Sequence, residues 1–235
     1  MKVRLIGYTQ PAHKIHSGEL ANGLDNIQDL VAYCARVSNP SNQLNQETAP
    51  RLLNYLAQHK HWSPFEMASA TLEIETTRDI ARQMLRHRSF SFQEFSQRYA
   101  DPREFGDQFV LREARYQDEK NRQNSVEMDP KNDEDRSLMW QWERQQQIVI
   151  DAAKSAYEWA IDHGIAKEQA RAVLPEGNTK SRLYMSGTIR SWIHFIELRS
   201  GNGTQKEHME VAKACGEEII KIFPFAEGWF YPKGR

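Results

Sequence analysis

The sequence predicts a single α/β domain of the α+β type, with a central, mostly antiparallel sheet flanked by helices, one of them long. Residues 70–76 alternate apolar and polar side chains, as a strand with one solvent-facing side does. A helical stripe begins directly afterwards at Asp79, and another runs from about 134 to 163. A chain of this size buries roughly 70% of its unfolded surface, so one domain over 1–235 needs no disulfide or zinc.

The first elements are a strand and two helices. Residues 2–7 alternate in polarity and predict a short strand. Apolar residues at 27, 30, 31 and 34 predict a helix over 27–37, capped by Asp25 or Asn26. A second helix is expected from Thr48, because Pro50 then lies in its first turn.

The strand at 70–76 is expected to enter a helix without a loop, since Thr76 and Asp79 have the spacing of a capping box. Four elements follow. They are a long helix from about Glu134 to His163 with apolar residues including Leu138, Trp142, Val149, Ala156 and Tyr157, a strand containing Leu183 and Met185, a helix over 188–200, and a final helix capped by Thr204 and Glu207 that ends before Pro224.

The segment 101–137 has almost no core-forming side chains. It predicts an exposed insertion or long loop at about 105–137, and we expect no chemistry there.

Composition excludes several classes of protein. There are 31 Lys and Arg against 32 Asp and Glu, a net charge of −1, which argues against a nucleic-acid coat protein. No run of about 18 apolar residues predicts a membrane span, and residues 1–9 do not resemble a signal peptide, so we expect a cytoplasmic protein without a membrane partner. Cys34 and Cys215 lie on apolar stripes and predict buried thiols rather than a disulfide framework.

Familiar nucleotide and metal motifs are missing. The sequence has no GxxxxGK[ST] and no HExxH, and the pair Gly201 and Gly203 lacks a third glycine for a dinucleotide fingerprint. His59 and His61 form an H-x-H pair without a further ligand at supportive spacing, so no metal site is predicted.

Five arginines within 21 residues are the most distinctive feature: Arg78, Arg82, Arg86, Arg88 and Arg98. On a helix, the first three would share one face, and planar guanidinium groups bind phosphate or carboxylate oxygens in two-point fashion. From charge alone, a solvated helix face with a few ion pairs is the favoured interpretation. Charge alone does not decide between these readings.

The residues after Arg88 mix serine and glutamine with phenylalanine, a combination that favours a nucleotide pocket. The rival interpretation is RNA binding through the same arginines, but a net charge of −1 provides little long-range attraction to a polyanion.

The stretch RHRSFSFQEFSQRY at 86–99 contains the pattern RHRxxSxxxxSxR and resembles the signature of flavin-dependent thymidylate synthases. The likeness continues outside this stretch. It includes HWSPFE at 61–66, ARAVLP at 170–175 and TIRSWIHFIELR at 188–199.

The resemblance implies an α/β homotetramer whose FAD and dUMP sites are assembled from several subunits. The residues it assigns to FAD are Ser63, Arg86, His87, Arg88, Glu94, Thr188, Arg190 and His194. Those it assigns to the substrates are His61, Gln83, Met84, Leu85, Arg86, Glu94, Phe95, Ser96, Gln97, Arg98, Arg171 and Arg199, with His61 near the flavin face where folate stacks.

The resemblance also implies the reaction. NADPH reduces FAD, methylenetetrahydrofolate supplies the carbon, and flavin hydride completes the methyl group of dTMP, releasing tetrahydrofolate. Arg199 is the expected catalytic residue, since a fixed cation stabilises electron density pushed into uracil. Ser96 is expected to bind phosphate rather than attack, because no histidine adjoins it in the motif. The alternative is a nonenzymatic nucleotide or RNA-binding module.

Overall fold

The computed structural model describes residues 1–12, 24–106 and 108–230. Its strands are β1 Lys2–Tyr8, β2 Ser69–Thr77, β3 Ser91–Glu94, β4 Arg115–Gln117, β5 Ser125–Glu127 and β6 Lys180–Thr188. Four of them form the central sheet in the order β1-β2-β6-β3, and all three neighbouring pairs are antiparallel. Strands β4 and β5 form a separate hairpin.

The helices surround this sheet. They are α1 Ile27–Ala35, α2 Ala49–Gln58, α3 Arg78–Met84, α4 Asp133–Asp162, α5 Lys167–Ala170, α6 Ile189–Arg199, α7 Lys206–Ile222 and α8 Glu227–Phe230. Short 3-10 turns lie at Pro40–Asn42, Ser63–Glu66, Pro102–Phe105, Arg171–Val173 and Pro224–Ala226. The mixed helix and antiparallel-sheet architecture and the 30-residue α4 confirm the predicted fold class.

The core lies between one face of the sheet and helices α6 and α7. Alternate residues of β2 and β6 point into it, and Trp192 of α6 is fully buried there, donating its indole N–H to the carbonyl of Ala70 at 3.0 Å. The principal side chains of this layer are Leu72, Ile74, Leu183, Met185, Ile193, Val211, Cys215 and Ile219. Burial of this period-two set against helical stripes holds the sheet and helices together.

The opposite face of the sheet is polar. Arg4 donates to Glu73 at 2.8 Å across β1 and β2, and Arg182 donates to Glu75 at 2.5 Å across β6 and β2. Glu73, predicted to face solvent, is therefore only 5% exposed, because long arginine and tyrosine side chains from neighbouring strands cover it.

Strand β2 enters α3 without a loop, as predicted. The N-cap residue is Thr77 rather than Thr76. Its hydroxyl donates a hydrogen bond to the Asp79 carboxylate at 2.5 Å and accepts none from a backbone N–H group of the helix. The capping box predicted for the last helix does not form either. Gln205 is the N-cap residue of α7, and the Glu207 carboxylate forms ion pairs with Arg112 and Arg115 of the polar segment 101–137.

The segment 101–137 is not simply an exposed loop. It contains the β4–β5 hairpin and the half-buried Arg112, whose guanidinium donates to Asp79 at 2.7 Å and to the carbonyl of Gly177 at 2.9 Å. Most side chains of 111–137 are exposed, and what the structure adds to the predicted insertion or loop is the hairpin. Arg112 and Arg115 anchor it through ion pairs with Asp79 and Glu207, which are remote in sequence.

Helix α4 has two different stripes. Gln146, Ile150, Ala153, Tyr157 and Ala160 are buried against the rest of the chain. Several side chains predicted on its helical stripe lie elsewhere on the helix and are exposed. These predicted residues are Leu138, Trp142, Val149 and Ala156. Together with the exposed side chains of Gln145, Ala152 and Trp159, which were not predicted, they form a second stripe that we call the α4 seam.

Gly187 of β6 should not tolerate a side chain. An added Cβ would lie 2.4 Å from Cδ1 of Phe90, whose ring packs on Trp192 with centroids 4.8 Å apart. We expect Gly187→Ala to lower the free energy of unfolding by about 1 to 3 kcal/mol, since the Phe90 ring must move within a packed core. Chemical denaturation measures the change.

Gly177→Ala is the matched control, because a Cβ there meets nothing within 4 Å. Its effect should stay within about 0.5 kcal/mol. Equal stability of the two variants would show that the Phe90 position is not constrained by Gly187.

Candidate functional site

The candidate site forms where α3 and α6 end. Helix α3 begins at the Thr77 end of β2, whereas α6 begins at the Thr188 end of β6, and these are opposite ends of one strand pair. The strands span about 30 Å, while the two helices together span about 27 Å. Running back over the sheet from opposite ends, their carboxyl termini therefore meet.

Arg199 and His87 mark this meeting point. Arg199 is in the last turn of α6, where a cation is favoured by the helix dipole, and its Nε donates to Nε2 of His87 at 2.9 Å. Burial lowers the pKa of His87, and the positive charges of Arg199 and Arg86 lower it further. The imidazole is thus neutral at pH 7 and able to accept this hydrogen bond.

Gln83 is the next predicted site residue in this group. Its Nε2 donates to Oε1 of Gln205 at 2.7 Å, and its Oε1 lies 3.1 Å from Nδ1 of His208. Sequence reasoning missed Gln205 and His208. The available signal was spacing, since 208, 211, 212 and 215 form an i, i+3, i+4, i+7 stripe that places a histidine among apolar core residues.

The arginine cluster is less convergent than predicted. Helix α3 ends at Met84, so Arg86 does not share a helical face with Arg78 and Arg82. Arg78 is 3.5 Å from Glu94, and Arg82 is 2.9 Å from Glu176 in an exposed pair. For Arg82, the interpretation as a solvated helix face is the better one.

A second group of predicted residues surrounds a cavity of about 360 Å³. The cavity is lined by Arg78, Arg82, Gln97, Glu168, Arg171, Ala172, Leu174 and Glu176. Gln97 is only 3% exposed, and its Nε2 has no hydrogen-bond partner among the residues that the structure describes. Arg78 and Arg82 are paired with Glu94 and Glu176, and Arg171 makes no ion pair among the described residues. A buried unpaired amide beside the Arg171 guanidinium is suited to an anionic ligand, because the amide is otherwise costly.

Neighbouring residues of the motif adjoin this cavity. The Arg98 guanidinium lies 3.4 Å from Glu168, and Glu94 accepts a hydrogen bond from Ser181 at 2.8 Å. Ser96 Oγ accepts from the Arg98 amide at 3.4 Å, and no imidazole among the described residues is hydrogen-bonded to it. This arrangement is in keeping with a binding role for Ser96.

The residues assigned to the flavin lie partly on a third surface. Ser63 is exposed on the 3-10 turn Ser63–Glu66, and Arg190 of α6 pairs with Glu66 of the same turn. His194 packs edge-on against Trp62 with ring centroids 4.8 Å apart, and burial together with Arg190 lowers its pKa. Thr188 also caps α6, accepting from the Ser191 amide at 3.2 Å.

The remaining predicted residues differ in accessibility. His61 is exposed beside Tyr55, with ring centroids 6.2 Å apart, whereas the Met84 side chain is wholly buried, so only its backbone could meet a ligand. Arg86 and Arg88 are exposed, and Leu85 and Phe95 are half-buried.

Within one chain, the predicted residues form separate hydrogen-bonded and ion-paired groups. Gln83, His87 and Arg199 form one group, and Ser96, Gln97, Arg98 and Arg171 form another. In the described parts of the chain, side chains of the first group make no hydrogen bond or ion pair with those of the second.

Thiol and metal chemistry receive no support from the geometry. Burial raises the pKa of both free thiols, fully buried Cys215 and half-buried Cys34, which makes them poor nucleophiles. Over residues 1–12, 24–106 and 108–230, no three His, Cys, Asp or Glu side chains are grouped to hold a metal ion. Among the same residues, no helix has the length and apolar character needed to cross a membrane.

Two solved structures of one nucleotide methylase have a similar fold. The UMP/dUMP methylase PolB from Streptomyces cacaoi bound with 5-Br dUMP aligns with a TM-score of 0.74 at 24% identity, covering 97% of this chain and 93% of that one. Its complex with 5-Br UMP aligns at 0.72 and 25% identity, covering 97% and 94%. The chain therefore has the fold of this class of enzyme.

Sequence relatives identify the family. The thymidylate synthase complementing protein family matches residues 19–225. A probable flavin-dependent thymidylate synthase of Paramecium bursaria Chlorella virus 1 is 49% identical over 224 residues, and the flavin-dependent thymidylate synthase of Synechocystis sp. is 46% identical over 224 residues. Both alignments cover 95% of this chain and 96% of the relative. The chain belongs to the flavin-dependent thymidylate synthase family, which confirms the resemblance in the 86–99 motif.

Proposed function

We propose that this protein, as one domain over residues 1–235, converts dUMP to dTMP, using methylenetetrahydrofolate as carbon donor and NADPH-reduced FAD as hydride source, with release of tetrahydrofolate. The observation that carries the proposal is the Arg199–His87 hydrogen bond at the junction of α3 and α6. It joins the catalytic arginine to the RHR motif, although the two residues are 112 positions apart.

Arg199 acts by charge. Its Nε is held by neutral His87, which orients the guanidinium and leaves the terminal nitrogens, unpaired within the described chain, for the edge of a uracil ring. A guanidinium stays charged at neutral pH, so it stabilises negative charge that develops on the pyrimidine. His87 is thus a partner that aims the arginine.

The exposed arginines of the motif fit FAD. Arg86 and Arg88 are not ion-paired with any carboxylate in the described part of the chain, as expected for groups that bind a diphosphate. Arg190, His194 and Ser63 would hold the remainder on the surface beside Glu66. When bound, FAD supplies the hydride.

The second group fits the phosphate of dUMP. Arg98, Arg171, Ser96 and the unpartnered amide of Gln97 offer donors around the 360 Å³ cavity. Because this group is separate from Arg199 in one chain, the complete site would combine the two groups from different subunits.

The α4 seam supports the homotetramer. Its members follow at intervals of four and three residues over three heptads, the spacing of helices that pack together. Val149 is 53% and Trp159 57% exposed in the single chain. Trp159 also lines a groove of about 590 Å³ together with Ile165 and Val173. A second copy of this chain is the occupant, because subunit association would bury the seam and assemble the divided site.

Absorption spectroscopy tests the proposed function. The purified protein should be yellow, with flavin bands that bleach with NADPH and dUMP, and should form dTMP when methylenetetrahydrofolate is added. A colourless folded protein that instead binds oligonucleotides with a steep salt dependence would support the nonenzymatic RNA-binding alternative.

The two free cysteines are in keeping with the proposed cytoplasmic location.

A further inference from the structure

A hydrogen-bonded chain links the polar segment to Gln83. Glu207 lies in the first turn of α7. Its Oε1 accepts a hydrogen bond from Nη2 of Arg115 at 2.5 Å and lies 3.4 Å from Nη1 of Arg112. Its other oxygen accepts from Nε2 of Gln205 at 3.0 Å. Gln205 in turn accepts from Gln83 at 2.7 Å. Two arginines of the 101–137 segment are thereby connected to a site residue.

The Glu207 carboxylate fixes which group donates and which accepts in every hydrogen bond of this series. An ionised carboxylate only accepts, so Gln205 must turn its NH2 toward Glu207 and its carbonyl oxygen toward Gln83. Gln83 must then present its NH2 to Gln205. Its carbonyl oxygen is left facing His208.

Glu207 is ionised under ordinary conditions. Burial raises its pKa, but hydrogen bonds from its own backbone amide and from Gln205, with the charges of Arg112 and Arg115, together bring the pKa below its usual value. A neutral carboxyl group could donate and would remove the directional constraint, so this ionisation is what gives the chain its polarity.

His208 closes the far end of the chain. Its side chain is fully buried, and its Nδ1 must carry a proton to meet the Gln83 oxygen at 3.1 Å. Burial, with Arg199 and His87 nearby, lowers the pKa of His208 to about 4, so the imidazole is neutral at pH 7. The Gln83 amide is therefore held from both sides in one of its two orientations.

We propose that Glu207 and Gln205 are positioning residues that fix the amide orientation of Gln83 for dUMP, and that Arg112 and Arg115 of the polar segment hold Glu207 in place. The inference rests on the proposed function, which puts Gln83 at the nucleotide. If the Gln83 amide flipped, its NH2 group and its carbonyl oxygen would exchange places. Each would then face a group of the same kind on the pyrimidine edge, a donor opposite a donor or an acceptor opposite an acceptor.

Two variants of the FAD-bound enzyme test the direction of the chain. In Glu207→Gln, residue 207 no longer requires an NH2 group from Gln205, and we expect the dissociation constant of dUMP, measured by calorimetry, to rise about tenfold. Adding Gln205→Glu places an acceptor-only group directly beside Gln83. We expect this charge-balanced exchange to restore dUMP affinity to within about twofold of wild type.

The exchange separates orientation from simple stability. Both variants lose the carboxylate at 207 that pairs with Arg112 and Arg115, so a merely structural role predicts weak binding in both. Glu127→Gln is the matched control, because Glu127 is an exposed hairpin carboxylate that pairs with Lys206 at 2.6 Å outside the chain of amides. Its dUMP affinity should equal that of wild type.

Unchanged dUMP affinity in Glu207→Gln, or failure of the double variant to recover, would overturn the positioning role while leaving the proposed function intact. Absence of dUMP binding by the wild-type enzyme would overturn both.

Discussion

Replacing Arg199 with alanine should lower the turnover of dTMP formation by about 10²- to 10³-fold. Loss of one preorganised charge at the position where negative charge develops typically costs this much in rate. Flavin absorption should be retained, because Arg86, Arg88 and Arg190 are unchanged. Steady-state kinetics at saturating dUMP, with thermal unfolding to establish an intact fold, measure the effect.

Arg199→Lys distinguishes charge from geometry. A lysine keeps the positive charge but cannot both bond His87 and present a planar fork to the substrate. We expect a rate between those of wild type and the alanine variant. Arg51→Ala, at an exposed position of α2, controls for loss of a surface arginine and should have near wild-type turnover. A fully active Arg199→Ala enzyme would contradict the catalytic assignment.

If the proposed tetramer forms through the α4 seam, Val149→Glu should break it into smaller species and abolish flavin binding. The substitution places a charge in the middle of the α4 seam, where association would bury it without a partner. The divided site then cannot assemble. Light scattering gives the oligomeric state, and visible absorption reports bound flavin.

Gln147→Glu provides the control for Val149→Glu. It adds the same charge two residues away, which on a helix is about 200° around the axis and outside both stripes of α4. We expect it to keep the oligomeric state and the flavin absorption of the wild-type protein. A Val149→Glu protein with unchanged mass and colour would show that the seam is not an interface.

Local patterns predicted most of the fold. Alternation identified β1 and β2, and helical spacing identified α4 and α6, because one buried face imposes a repeat that is visible within about ten residues. The 86–99 motif likewise indicated the correct family, since the residues expected to bind anionic ligands are close together in the sequence. The four-residue β3 was missed because so short a segment has no clear period.

Predictions failed where a side chain depended on a remote partner. Thr204 and Glu207 have capping-box spacing, yet Glu207 is taken by Arg112 and Arg115. The same ion pairs order part of a segment whose composition indicates a loop. In α4, spacing identified the helix but did not distinguish the stripe that packs within the chain from the α4 seam.

Periodicity and motif were enough to predict β1, β2, β6, the longer helices and the chemical character of the site, because both are properties of neighbouring residues. The packing of separate elements brings His208 to Gln83 across 125 positions and Arg199 to His87 across 112, and no local pattern predicted either contact. Hydrogen bonds require atoms to approach within about 3 Å, and such distances arise only when separate elements pack together.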